Sequence, residues 1–144
     1  MILSYAEIFA APAYGHVHVC ASLPNGSVDV HSASELRHRL EQIAGEVPRP
    51  LLAEVIRTDG DLLSIGLGAP RSFLTYIPSG GDPPYFSVLD ESVDDREVSF
   101  DCNGEPSFYS MRNSVPFQTA LDVVCQFSEQ RGLPLPTMVK WEEV

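Results

Sequence analysis

Residues 51–68 read LLAEVIRTDGDLLSIGLG. In the first half Leu51, Ala53 and Val55 alternate with Leu52, Glu54 and Ile56, a period of two that sends successive side chains to opposite faces of a strand. Thr58-Asp59-Gly60-Asp61 follows, and Asp-Gly between two apolar runs is a strong hairpin signal. The return strand then runs from Leu62 to Gly68. A hairpin of this kind makes the sheet antiparallel from its centre outward.

Downstream, Ser72 to Ile77 reads as the next strand, closed by a turn at Pro78-Ser79-Gly80-Gly81, and Tyr85 to Leu89 as the one after it. Asp90-Glu91-Ser92-Val93-Asp94-Asp95 is an acidic loop. Beyond it Val98, Phe100 and Cys102 alternate with Glu97, Ser99 and Asp101, and Asn103-Gly104 turns the chain back into Ser107 to Met111. The connections are too short for helical crossovers, so these strands are expected to continue as an antiparallel meander.

Upstream, Gly15 to Ser22 reads as a strand in which Val17, Val19 and Ala21 alternate with His16, His18 and Cys20, followed by a turn at Pro24-Asn25-Gly26. Ser32 with Glu35 three residues later forms a capping box. Leu36, Leu40, Ile43 and Ala44 then recur at helical spacing, predicting an amphipathic helix that ends near Gly45. A second helix is predicted with Ser114 as its cap, Pro116 in its first turn and an apolar stripe of Phe117, Ala120, Val123, Val124 and Phe127, stopping at Arg131-Gly132. Leu133-Pro134-Leu135-Pro136 is extended, and Thr137 to Trp141 supplies a last short strand. The expected fold is α+β: a mostly antiparallel sheet of about seven or eight strands with two helices packed on one face.

At 144 residues and 44% apolar, the chain is long enough for a single domain, residues 1–144, with its own core. It has no run of the roughly 18 apolar residues that a membrane span requires, and its first residues lack the basic start of a signal peptide. A cytoplasmic location is expected. The three cysteines, Cys20, Cys102 and Cys125, are odd in number and widely spaced, which suits reduced, buried thiols and not a disulfide scaffold.

Phosphate-binding, nucleophile-elbow and zinc-protease motifs are absent, and Gly66-Leu67-Gly68 lacks the following helix that a phosphate site needs; its glycines read as a bulge or a bend. His16 and His18 point to one face of a strand but bring no third or fourth ligand with them. The chain is therefore expected not to be an enzyme and to need no cofactor or metal. A small metal-dependent enzyme, built on these two histidines and a carboxylate, is the weaker alternative.

Charge is the informative feature. The chain carries 20 acidic and 9 basic side chains, a formal net charge of −11, which argues against binding nucleic acid or an anionic membrane and for a basic protein partner. Residues 82–105 hold eight carboxylates and one arginine, Arg96. A solvated, repulsive face would explain such a cluster, and so would an electrostatic decoy aimed at a cleft built for phosphates. On the second reading Asp90, Glu91, Asp94, Asp95 and Glu97 form the contact patch, with Glu142 and Glu143 as a second choice. Tyr85, Phe86 and Tyr109 are candidate aromatic anchors, with core packing as the alternative for each, and Trp141, the one tryptophan, is expected to pack against the second helix.

From Leu62 to Val144 the order of parts resembles a known family. Leu63-Ser64-Ile65-Gly66-Leu67-Gly68 is followed by Phe73-Leu74-Thr75-Tyr76-Ile77, a Gly-Gly turn and Tyr85-Phe86-Ser87. Phe100, the Asn103-Gly104 turn and a helix bearing Ala120 and Phe127 come next, then Gly132-x-Pro134, a strand and Trp141-Glu142. This is similar to the deaminase-toxin immunity proteins of bacterial polymorphic toxin systems, one of the broad immunity families. Leu133 stands where relatives often have arginine, so no role of that arginine transfers. The resemblance implies a small α+β inhibitor, made in the toxin-producing cell, that binds and blocks the toxic domain encoded beside it; its toxins include deaminases and nucleases, as in contact-dependent inhibition. A secretion chaperone or adaptor for such a toxin is the alternative in the binding class. The oligomeric state is left open.

Overall fold

In the computed structural model, which describes residues 17–21, 27–81, 83–88, 96–102, 104–130, 133–134 and 137–144, the central hairpin is β3 (Leu51–Arg57) and β4 (Leu62–Leu67). Its turn places Gly60 at φ 95°, a conformation that L side chains resist, and closes with Arg57 N–H on Asp61 O at 2.9 Å. Around it lie β1 (Val17–Ala21), β2 (Ser27–Val30), α1 (Ala33–Glu46), β5 (Arg71–Ser72), β6 (Leu74–Ile77), β7 (Tyr85–Val88), β8 (Glu97–Cys102), β9 (Glu105–Ser110), β10 (Val115–Pro116), α2 (Phe117–Glu129) and β11 (Lys140–Glu143). The main sheet runs β11-β7-β6-β4-β3-β1-β2, with every neighbouring pair antiparallel, so the α+β expectation holds.

Alternation divides the interior in two. Leu51, Ala53 and Val55 of β3, Leu63, Ile65 and Leu67 of β4, and Leu74 and Tyr76 of β6 face both helices and form the larger core with Leu36, Leu40, Ala120, Val124 and Phe127. Leu52 of β3 faces the other way, into a second, smaller core with Phe73, Phe100 and Tyr109. The helices thus cover one face of the sheet. Part of the opposite face is covered by the β8–β9 hairpin.

That hairpin departs from the expected meander. After β7 the chain does not add a strand beside it; β11 takes that edge, with Trp141 opposite Ser87. β8 touches the sheet at a single parallel position, Leu51 opposite Asp101, and the hairpin lies over the sheet because Phe100 and Tyr109 bury their rings there. Apolar side chains on the second face of β3 and Phe73 outweigh the short connection as the determinant of topology.

Smaller departures have local causes. β2 was not expected; it pairs with β1 before α1 begins. The strand expected over residues 72–77 is broken at Phe73, whose carbonyl receives the Gly66 N–H at 3.0 Å while Ser72 Oγ donates to Gly66 O at 2.7 Å. Ser32 caps α1 as expected, accepting from Glu35 N–H at 3.0 Å. Ser114 does not cap α2: Pro116 occupies the cap position without a side-chain bond, and Ser114 Oγ instead accepts from Arg71 Nε at 3.0 Å. β11 begins three residues after Thr137, where the last strand was expected to start. The expected turns at residues 24–26 and stop at 131–132 lie outside the described residues.

Candidate functional site

The β8–β9 hairpin is a two-faced ribbon. Cross-strand partners share a face, so Val98 with Tyr109 and Phe100 with Ser107 point inward, while Glu97 with Ser110, Ser99 with Phe108 and Asp101 with Pro106 point outward. Three ring contacts anchor the inner face: Phe73 lies 5.4 Å from Phe100 and 5.2 Å from Tyr109, and Phe86 lies 5.4 Å from Tyr109, centroid to centroid. Beneath Phe100 sits Gly66, whose missing side chain makes room for the ring. Tyr109 is 7% exposed, and its hydroxyl, 3.3 Å from Thr75 Oγ1, is held back from ionising chiefly by burial.

The outer face is the opposite. Phe108 is 60% exposed, the highest among the large hydrophobic residues inside a described element. Glu97 is exposed on the same face, and Asp101, half-buried, has Arg49 at 3.9 Å; Glu105, opposite Cys102, is exposed at the end of the ribbon but belongs to the inward phase. Of the sequence-predicted contact residues, Glu97 is therefore on this face, while Asp90, Glu91, Asp94 and Asp95 lie outside the described residues. The anchor aromatics are reassigned: Tyr109 is core, Tyr85 and Phe86 are half-buried and packed against the two cores, and Phe108 is the ring left in solvent. Sequence reading missed Phe108 because Phe108 and Tyr109 are adjacent aromatics, which leaves the phase of the alternation undetermined.

The second acidic pair sits on the edge strand β11. Glu143 is exposed. Glu142 is engaged: Arg112 grips its carboxylate with both Nη atoms, the Nη2 bond being 2.6 Å, and Asn113 Nδ2 adds a bond of 2.8 Å. These bonds, Arg112 first and Asn113 second, hold the Glu142 carboxyl below its ordinary range. Asn113 also donates to Ser87 O at 3.1 Å, so the segment leaving β9 is tied to both β7 and β11. Trp141 packs on the larger core with its ring 6.3 Å from Tyr76, and Phe127 of α2 stands 6.2 Å from that same tyrosine.

Burial raises the thiols of Cys102 and Cys125 above their ordinary range, with nearby carboxylates adding to the effect at Cys102. Neither is an activated nucleophile. Among the described residues no group of three or more His, Cys, Asp or Glu side chains is arranged to hold a metal ion, and His16 lies outside them. No described helix is long and apolar enough to cross a membrane.

Comparison with known families returns one that fits this frame: the model of immunity protein Imm1 matches residues 25–143. The chain belongs to the Imm1 immunity protein family. The match begins two residues before β2 and ends in β11, so it takes in both helices, the central hairpin and the β8–β9 ribbon, a longer span than the resemblance from Leu62 onward. A comparison with the curated proteins returns no match. Membership of Imm1 makes toxin immunity the function and a cognate toxin the partner of this fold.

Proposed function

We propose that this Imm1 protein is a non-enzymatic cytoplasmic inhibitor that neutralises a basic cognate toxin domain acting on nucleic acid, a deaminase or a nuclease, by covering its active-site cleft in a one-to-one complex. The observation that carries this reading is Phe108, 60% exposed at the middle of the outer hairpin face, with Glu97 and Asp101 on the same face. An aromatic ring bordered by carboxylates is the pattern of an anchor with a polar, charged rim. Carboxylates on a rigid two-stranded frame meet the cationic lining of a phosphate-binding cleft and steer the approach of the partner. Asp90, Glu91, Asp94 and Asp95, which precede this hairpin in the chain, are further contacts on the same reading, with Glu143 as the second choice. Glu142 acts in it through its pairing with Arg112.

The test is a titration of the purified toxin domain with this protein while the toxin's activity on its nucleic-acid substrate is followed. Inhibition complete at equimolar protein supports the reading. A complex that forms but leaves the toxin active supports a secretion adaptor instead. Activity that persists without complex formation contradicts both.

A further inference from the structure

β8 has one finished edge and one that is only begun. Met111 N–H donates to Arg96 O at 2.7 Å across the hairpin, which sets the phase of the ladder: Val98, Phe100 and Cys102 turn their amides toward β9. Asp101 turns the other way, and its N–H donates to Pro50 O at 3.0 Å, where β3 begins. By the same alternation the N–H and C=O groups of Glu97 and Ser99 face that edge too. β3 meets β8 at Asp101 alone, and among the described residues no hydrogen bond reaches the outward N–H and C=O groups of Glu97 and Ser99.

The space beside them is a cleft of about 480 Å³, bounded by β8 on one side and by Ala69, Pro70 and Arg71 on the other, with Phe73, Phe100 and Met111 among its lining. That volume is in the range of ligand sites. Arg71 lies at the cleft with Nε on Ser114 Oγ at 3.0 Å and Nη2 on Ser114 O at 3.2 Å, and it pairs with no carboxylate among the described residues. A cation bonded only to neutral oxygens, in a chain of net charge −11, is a specific site for an acidic group.

We propose that this cleft receives an extended peptide segment of the toxin domain, added as a strand to the open edge of β8. An apolar side chain of the segment covers Phe73 and Phe100, and a carboxylate of the segment meets Arg71. Two backbone positions with the same outward direction, two residues apart, match the repeat of a single strand. The inference rests on the immunity reading for the identity of the partner and adds a second, backbone-mediated contact to the outer face.

Amide hydrogen exchange of the full chain, alone and with a catalytically disabled toxin domain, tests it. The expected result is at least tenfold slower exchange at Glu97 and Ser99 in the complex. Arg71→Gln, which also gives up the bonds to Ser114, should lower the melting temperature slightly and, at a temperature where it is fully folded, weaken binding about tenfold; Arg71→Lys should recover most of the binding loss, and Ala69→Trp, which fills the cleft, should weaken binding further. If Ala69→Trp does not fold, the exchange data and the Arg71 pair still decide. A toxin that binds and inhibits while Glu97 and Ser99 exchange as before, with Arg71→Gln binding normally, overturns the strand-addition proposal and leaves immunity standing. A toxin that does not bind at all overturns both.

Discussion

Phe100 lies so close over Gly66 that a Cβ at position 66 would stand 2.7 Å from both Cε1 and Cζ of the ring. This contact seats the β8–β9 hairpin on the sheet, and it explains a glycine inside a strand, where glycine otherwise weakens the structure. Gly66→Ala should therefore destabilise the protein by about 1–3 kcal/mol through overpacking, read as a lower urea midpoint. Combining it with Phe100→Leu should recover part of that loss, whereas additive losses would place the strain elsewhere.

Arg57 and Asp61 form a buried pair at the turn of the central hairpin, with side-chain exposures of 6% and 12%. Arg57 also donates to Phe127 O at 3.0 Å and lies 4.1 Å over the Phe127 ring, so it closes the end of α2. Asp61 in turn accepts from Tyr76 Oη at 2.6 Å and Ser79 N–H at 2.9 Å. Asp61→Ala leaves the buried Arg57 guanidinium with Asp59 alone, at 3.3 Å from Nε, and takes the acceptor from Tyr76 Oη; it should cost about 3 kcal/mol in denaturant unfolding, the low end for a broken buried pair. Tyr76→Phe removes one bond of the set and should cost about 1–2 kcal/mol.

Glu142 gives a pH signature. Its carboxyl is held below the ordinary value of 4.5 in the folded protein by Arg112 and Asn113. The unfolded chain therefore binds that proton more readily, and the stabilisation is fully present above 4.5 and lost as pH falls through the lower folded value. Unfolding curves of wild type and Glu142→Gln should be separated at pH 7 and draw together as pH falls below 4.5. A constant separation at all pH values would show that the pairing does not contribute.

Phe108 separates binding from folding. Its ring is largely in solvent, so Phe108→Ala should leave the melting temperature within a degree or two of wild type. Toxin affinity should fall about thirtyfold, the loss typical of a hot-spot aromatic. Glu97→Lys should act differently, slowing association and altering its salt dependence, as measured by stopped-flow or surface binding kinetics.

The parts of this fold that sequence predicts well are those governed by neighbours in the chain. Ser32 and Glu35 announce α1, and Asp59-Gly60 announces the central turn, because the residues that make each motif lie within four positions of one another. The placement of β8–β9 is not local. It depends on Leu52 and Phe73, far from Phe100 in sequence, offering an apolar surface on the sheet's second face. Position 66 carries a hint, as a glycine amid alternating apolar residues, but it does not say which ring fills the space. The site is legible as charge and not as geometry. Composition shows that residues 82–105 are acidic, yet only the register of Ser99 with Phe108 shows which ring faces outward beside them. The bonds that bind Glu142 to Arg112 and Asn113 likewise cross from one chain segment to another and leave no sequence motif.

Growth rescue tests the central claim most directly. The cognate toxin domain is expressed in a naive host with wild type, with the Phe108→Ala/Glu97→Lys double variant, or with no partner. Growth with wild type and impaired rescue by the double variant are expected at equal soluble protein levels. Growth arrest despite soluble wild-type protein would contradict immunity against that toxin, and full rescue by the double variant would contradict the outer hairpin face as the contact.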